Sequence, residues 1–170
     1  EYVSANPTGP LHIGHGRGMI LGEVTAKFLS YQGHNIKREY YVNDAGRQID
    51  LLLVSVLLCH LGKNKHIFVD EKSNDDGHLL TYKGSYVYDV ATVLSHDLEK
   101  IDKDSVLDLL NEPIDSLISF LKKHKSYSKI RNALVNVIID KYIKEDLSAV
   151  GINFDSCLLY TSPSPRDRQW

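Results

Sequence analysis

Residues 4–18 read Ser-Ala-Asn-Pro-Thr-Gly-Pro-Leu-His-Ile-Gly-His-Gly-Arg-Gly, so four glycines and two histidines fall within the ten residues 9–18. Residues 1–6 alternate loosely, and Pro7-Thr8-Gly9-Pro10 cannot continue a β-ladder, which predicts a short strand ending in a loop. Ile20, Val24, Phe28 and Tyr31 then recur at helical spacing, with Gly33 placed as the C-terminal cap. A loop of this kind between a strand and a helix is where an open α/β sheet presents its ligand crevice. Glycines let a polyphosphate approach the backbone because no Cβ stands in the way. The helix that follows aims free N–H groups and its positive dipole end at the same place. Imidazoles at His12 and His15, three positions apart, can reach one face and donate N–H groups to phosphate oxygens.

Other readings of these residues are open at this point. A histidine near a helix start is often a cap or a packed side chain. Zinc held by His12 and His15 needs further ligands, and only Glu1 and Glu23 lie nearby in sequence. A Gly-x-Gly-x-x-Gly dinucleotide fingerprint fails, because the third position is Met19 counted from Gly14 and Leu21 counted from Gly16.

Downstream, residues 35–42 read as a second strand, Asn43-Asp44-Ala45-Gly46 as a turn, and 47–61 as a helix closed by Gly62. A strand–helix–strand order is the unit of parallel sheets. Residues 63–84 are polar, with 73–77 the clearest loop; 86–101 and 105–123 are expected as helices, and 127–150 as one helix roughly 35 Å long at ~1.5 Å per residue. Gly151 ends it, and 152–154 begin what reads as another strand.

Lys+Arg 20 against Asp+Glu 22 gives a net charge of −2, so no global basic field attracts a polyanion, and any such ligand must be bound locally. Apolar residues at 42% and charged residues at 25% exclude disordered, collagen-like and disulfide-scaffold classes in a chain of 170 residues. Cys59 and Cys157 form neither metal spacing nor a disulfide framework, which fits a reducing compartment. The longest apolar run ends at Ser55, far short of the ~20 residues of a membrane span. The expectation is a soluble, cytoplasmic protein with no membrane contact. Residues 157–170 change character abruptly, and Cys157 to Asp167 resembles read-through of a sequencing-library adapter; residues 156–170 are therefore expected to be a non-native tail outside the fold.

His12-Ile13-Gly14-His15 is the HIGH signature of class I aminoacyl-tRNA synthetases, and the longer run from Ser4 to Arg17 resembles the arginyl-tRNA synthetase family in particular. Residues 38–49 (Arg-Glu-Tyr-Tyr-Val-Asn-Asp-Ala-Gly-Arg-Gln-Ile), 82–91 and 151–155 resemble later blocks of that family, in the right order. The resemblance implies an α/β fold: the first half of a Rossmann-like synthetase core with an incomplete parallel sheet and a largely helical insertion. Residues 1–155 then form a partial catalytic domain, with about 63–125 inserted.

The implied activity is ATP-dependent ligation of L-arginine to tRNA(Arg) through an arginyl-adenylate, with ATP and Mg2+ required. The resemblance gives His12 and His15 the catalytic role, Thr8, Gly9 and Gly14 contacts to ATP, and Glu1 and Asn6 contacts to arginine. A carboxylate is the natural partner of a guanidinium. Asn43, Asp44 and Gln48 are either turn and cap residues or supports of the crevice. Tyr82, Tyr86 and Tyr88 read as packing or as stacking platforms for an RNA end, and Lys122, Lys123, Lys125 and Lys129 as a solvated helix end or a phosphate contact.

The family's second signature, a KMSKS-type loop, has no counterpart; Lys125-Ser-Tyr-Ser-Lys129 has the wrong spacing. The chain alone is thus expected to be inactive. Oligomeric state is not set by the sequence, with a monomer expected for the parent. Two alternatives remain: another His-x-Gly-His nucleotidyltransferase, or a non-catalytic tRNA-binding remnant.

Overall fold

A computed structural model describes residues 1–43, 46–63 and 81–159. Its elements are α1 (Ile13–Tyr31), β1 (Glu39–Val42), α2 (Arg47–His60), α3 (Ser85–Val93), α4 (Ser95–Leu98), α5 (Lys103–Asp108), α6 (Ile114–Lys123), α7 (Tyr127–Ile138), α8 (Lys144–Ala149) and β2 (Ser156–Leu159). They form two compact units, one of residues 1–46 with 138–170 and the other Arg47–Val137. The loop expected at 73–77 and residue Asp44 lie outside the described residues.

In the first unit β1 and β2 pair in parallel, with Glu39 opposite Ser156 and Val42 opposite Leu159. The α/β class is therefore observed, as an incomplete parallel core, but two of the expected strand positions are not. Residues 1–6 form no strand. Val3 and Ser4 take positive φ of 64° and 42°, a left-handed pair that cannot extend a ladder. The segment is instead tied down singly: the Tyr41 N–H donates to Ser4 Oγ at 3.0 Å and the Tyr40 hydroxyl donates to the Ala5 carbonyl at 3.0 Å. The last strand starts at Ser156 rather than at 152 and takes in Cys157, Leu158 and Leu159, residues that the sequence reading set outside the fold. A parallel ladder is made of backbone groups, so it does not depend on the composition that marked those residues as foreign.

Glycines end the helices where expected. After α8, Gly151 takes φ +72°, the Ile152 N–H donates to the Leu147 carbonyl at 2.9 Å, and both side chains are buried. The same six-to-one closure follows Gly33 at the end of α1. The long run 127–150 is helical throughout but contains a π turn at Ile139–Ile143 between α7 and α8.

In the second unit α2 is the central element. Nine of its fourteen residues are buried, Asp50 and Ser55 among them, and it packs against α3, α4 and α6. The expected helices 86–101 and 105–123 each break. Leu94 separates α3 from α4; Pro113, which has no N–H to give, stands before α6. Among the described residues no helix is long and apolar enough to cross a membrane.

The first unit carries one constraint that the sequence hides. Tyr2 lies across α1 at Gly22, where an added Cβ would overlap the Tyr2 ring. The Tyr2 hydroxyl donates to buried Glu23, which also receives Arg38 Nε at 3.1 Å. Burial alone would push the Glu23 carboxyl up; the bonds from Tyr2 and Arg38 outweigh it and hold the group below 4.5. Replacing Gly22 with alanine is expected to cost about 1–3 kcal/mol by overpacking, read as a lower denaturant midpoint. An unchanged midpoint would mean that Tyr2 does not hold this position.

Candidate active site

His12 is the N-cap of α1, with extended backbone (φ −125°, ψ 169°). Its Nδ1 accepts the Gly14 N–H at 3.1 Å, while its own N–H donates to His15 Nδ1 at 3.2 Å. The two bonds form a reciprocal capping box built from histidines rather than from serine and glutamate. The rings stack with centroids 3.9 Å apart and an angle of 30° between their planes.

This arrangement fixes the tautomers. Each Nδ1 accepts a backbone proton, so in the neutral imidazole the side-chain proton sits on Nε2. Both Nε2–H groups are then donors at the N-terminus of a 19-residue helix, beside N–H groups that have no intrahelical acceptor. Burial lowers the His15 pKa below 6.5, and the neighbouring His12 lowers it further. The neutral ring is thereby favoured in the fold. Between that lowered value and 6.5 the unfolded chain binds more protons, so stability declines as pH falls through this interval. An NMR titration of the His15 Cε1–H should give a midpoint below 6.5; one above 6.5 would contradict the arrangement.

Gly14 sits directly beneath the capping ring. A Cβ there would come within 2.8 Å of His12 Cε1 and 2.9 Å of Nδ1. The absent side chain therefore makes room for the His12 ring. His12, Gly14 and His15 are thus brought together into one cluster. Thr8 and Gly9 are half-buried in the preceding loop, where the Thr8 N–H donates to the Asn6 carbonyl at 2.8 Å. Glu1, Asn6 and Asn43 are exposed residues of the first unit, whereas Gln48 is exposed in the first turn of α2, in the second unit.

Four residues position this cluster through contacts that the sequence does not show. The Leu11 N–H, one residue before His12, donates to Asp146 Oδ2 at 2.9 Å across 135 positions. Tyr40 and Tyr41 hold the segment before the loop, as described above. Arg38 ties α1 to the approach of β2: its carbonyl accepts the N–H groups of Asp155 and Ser156, at 2.9 and 3.2 Å, and its own N–H donates to Asp155 Oδ2 at 2.6 Å. The pairing of residues near 40 with residues near 155 is the only form in which these contacts can be read, and it appears only in three dimensions.

Among the described residues no group of three or more His, Cys, Asp or Glu side chains converges, so the site does not fit a metal held by the protein itself. Zinc on His12 and His15 is disfavoured for the same reason, and because both Nδ1 atoms already accept backbone protons.

Comparison with known proteins assigns the fold. Residues 1–159 match the family described as tRNA synthetases class I (R), catalytic domain. The chain is 39% identical over 172 residues to an arginine–tRNA ligase of Thioalkalivibrio sulfidiphilus, covering 92% of this chain and 28% of that one. It is 37% identical over 165 residues to an arginine–tRNA ligase of Acidithiobacillus ferrooxidans, covering 91% and 27%. A crystal structure described as an arginyl-tRNA synthetase from Campylobacter jejuni superposes with a TM-score of 0.61 at 32% identity, over 93% of this chain and 29% of that one. The chain thus spans about a quarter of the length of the relatives it matches. With the HIGH residues forming one cluster at the start of α1, and with this match over nearly its whole length, the chain belongs to the class I arginyl-tRNA synthetase family, within the catalytic domain.

Proposed function

We propose that this chain supplies the phosphate-binding part of an ATP-dependent arginine–tRNA ligase. The arginine carboxylate attacks the α-phosphate of ATP, pyrophosphate leaves, and the arginyl group of the resulting adenylate passes to the terminal ribose of tRNA(Arg). The observation that carries the reading is the paired cap: two imidazoles whose Nδ1 atoms accept backbone N–H groups, which leaves each Nε2 free to donate at a helix N-terminus. In-line phosphoryl chemistry asks the protein chiefly for positioning and for donors aimed where negative charge grows. His12 and His15 are those donors, Thr8 and Gly9 line the approach to the phosphates, and Glu1 with Asn6 receives arginine. Asn43, in the same unit as the histidines, supports the site from the start of the second block.

Mg2+ would be carried by the nucleotide's phosphates, since the described residues offer it no ligand cluster. No step depends on it here. The protein's own contribution is to hold the α-phosphate oxygens and to keep both donor protons on Nε2.

The test uses a chimaera in which residues 1–159 replace the matched segment of the Thioalkalivibrio sulfidiphilus ligase. It should catalyse ATP–pyrophosphate exchange that depends on arginine and on no other amino acid. Exchange driven by a different amino acid would favour another nucleotidyltransferase, and tRNA binding without nucleotide binding would favour a non-catalytic remnant. The chain by itself, which has no KMSKS-type segment, should show no exchange with arginine and tRNA present. Robust turnover by the chain alone would overturn that part of the reading.

A further inference from the structure

Residues 1–6 pass through a strained turn that the fold clamps on both sides. The Ser4 N–H donates to the Tyr2 carbonyl at 3.0 Å across Val3, whose φ is +64°. This is a γ-turn of the rare hand, at a β-branched residue that ordinarily avoids such backbone. A second three-residue turn follows, in which the Thr8 N–H donates to the Asn6 carbonyl at 2.8 Å across Pro7. A proline ring holds φ near −65° and suits the common hand, so this one is relaxed. Glu1 thus precedes the strained turn, and Asn6 lies between the strained turn and the relaxed one.

Strain of this kind persists only where the surroundings over-determine it, and it gathers at sites of function. Before the turn, the Tyr2 ring is seated on α1 at Gly22, with its Cγ 2.3 Å from where a Cβ would stand. The Tyr2 hydroxyl donates to buried Glu23, which Arg38 Nε and Lys27 Nζ hold at 3.1 and 3.4 Å. After the turn, the Tyr41 N–H and the Tyr40 hydroxyl hold Ser4 Oγ and the Ala5 carbonyl. Phe154 joins the two sides, its ring centroid 4.7 Å from that of Tyr2 and 5.3 Å from that of Tyr40. The seat at Gly22 lies about 15 Å along α1 from His12. One helix therefore carries both the paired imidazoles and the anchor of this segment.

We propose that Tyr2 is a positioning residue for the amino-acid substrate: seated on α1, it fixes the strained turn at Val3 and with it the course of the backbone between Glu1 and Asn6. The inference rests on the reading of Glu1 and Asn6 as the residues that receive arginine. A segment held in place beforehand spares the substrate the cost of ordering it. Tyr2 acts through its neighbours and touches no reacting atom, so its loss weakens arginine binding and leaves the chemical step alone.

Tyr2→Phe removes the hydroxyl and keeps the ring. In the chimaera described above it should raise KM for arginine in pyrophosphate exchange at least fivefold, with kcat and KM for ATP within twofold of the parent. An unchanged KM for arginine, or an equal rise in KM for ATP, would overturn the proposal. Val3→Gly separates positioning from stability, because glycine accepts a φ of +64° without steric cost but lets the segment take other courses. Its denaturant midpoint should not fall while KM for arginine rises; a KM that rises only in step with a falling midpoint would reduce the clamp to a structural one. Amide hydrogen exchange in the isolated chain follows the clamp without any reaction. Tyr2→Phe should speed exchange of the Tyr41 N–H at least threefold and leave that of Ala26, inside α1, unaltered. Equal Tyr41 rates in the two proteins would overturn the proposal. A chimaera indifferent to arginine, with faster Tyr41 exchange in the variant, would refute the function and sustain the clamp. Arginine-dependent activity whose KM ignores Tyr2→Phe would refute this inference alone.

Discussion

His12→Ala in the chimaera is expected to lower the rate of arginine-dependent pyrophosphate exchange about a hundredfold, with the loss in kcat rather than in KM for arginine. Removing one preorganised donor to a developing anion costs about 3 kcal/mol at the transition state, and each 1.36 kcal/mol is a factor of ten. The same change deletes the N-cap of α1, at about 1 kcal/mol of stability. His12→Ser separates the two effects: a serine restores a cap acceptor but offers no Nε2–H, so stability should return while exchange stays low. Recovery of exchange in the serine variant would reduce His12 to a capping residue. Gly14→Ala should lower exchange in the same direction, because the added Cβ comes within 2.8 Å of the His12 ring and pushes it off its cap position.

The second large effect is expected far from this chemistry, at Asp50. Its side chain, almost wholly buried in α2, accepts the Tyr127 hydroxyl at 2.6 Å and pairs with Lys122 Nζ at 2.8 Å, with Arg131 Nε 4.0 Å away. Three elements are thus fastened at one carboxylate: α2, α6 and α7. Burial, together with the hydrogen bond to Asp50, pushes the Tyr127 hydroxyl up to about 12, so this donor keeps its proton at any ordinary pH. Asp50→Ala removes the acceptor of the half-buried Tyr127 hydroxyl and the counter-charge of Lys122. Breaking one side of such a cluster costs about 3 kcal/mol, toward the lower end of the usual range because Lys122 can turn to water. The thermal midpoint should drop by on the order of 10 °C. Asp50→Asn, which can still accept from Tyr127, should lose less than half as much. Equal losses for the two variants would show that the charge, and not the accepting oxygen, matters.

What the sequence reveals and what it conceals divide along contact range. The helices α1 and α2, their closing glycines and the cap at His12 depend on residues a few positions apart, and the spacing displays them. The expected strand at 1–6 fails because alternation of side chains says nothing of the left-handed turn at Val3 and Ser4, which is held by Tyr40 and Tyr41 from elsewhere in the chain. The breaks at Leu94 and Pro113 are half legible: a proline marks one of them, whereas nothing in the 86–101 pattern marks the other. Around the site, the His12–His15 pair was readable from its three-residue spacing. The contacts of Asp146, Arg38 and Glu23 were not, since each acts across 15 to 135 positions. Gly14 was found for its position, but its contact with the His12 imidazole needed coordinates.

The imidazole nitrogens of His12 and His15 report most directly on whether this helix start grips phosphate. Nitrogen NMR of the chimaera, with both histidines labelled, should show the Nε2–H tautomer of each ring, and those two Nε2–H signals should move on addition of a non-hydrolysable arginyl-adenylate analogue while the Nδ1 signals stay close to their free positions. Rings protonated on Nδ1, or Nε2–H signals indifferent to a saturating analogue, would contradict the account.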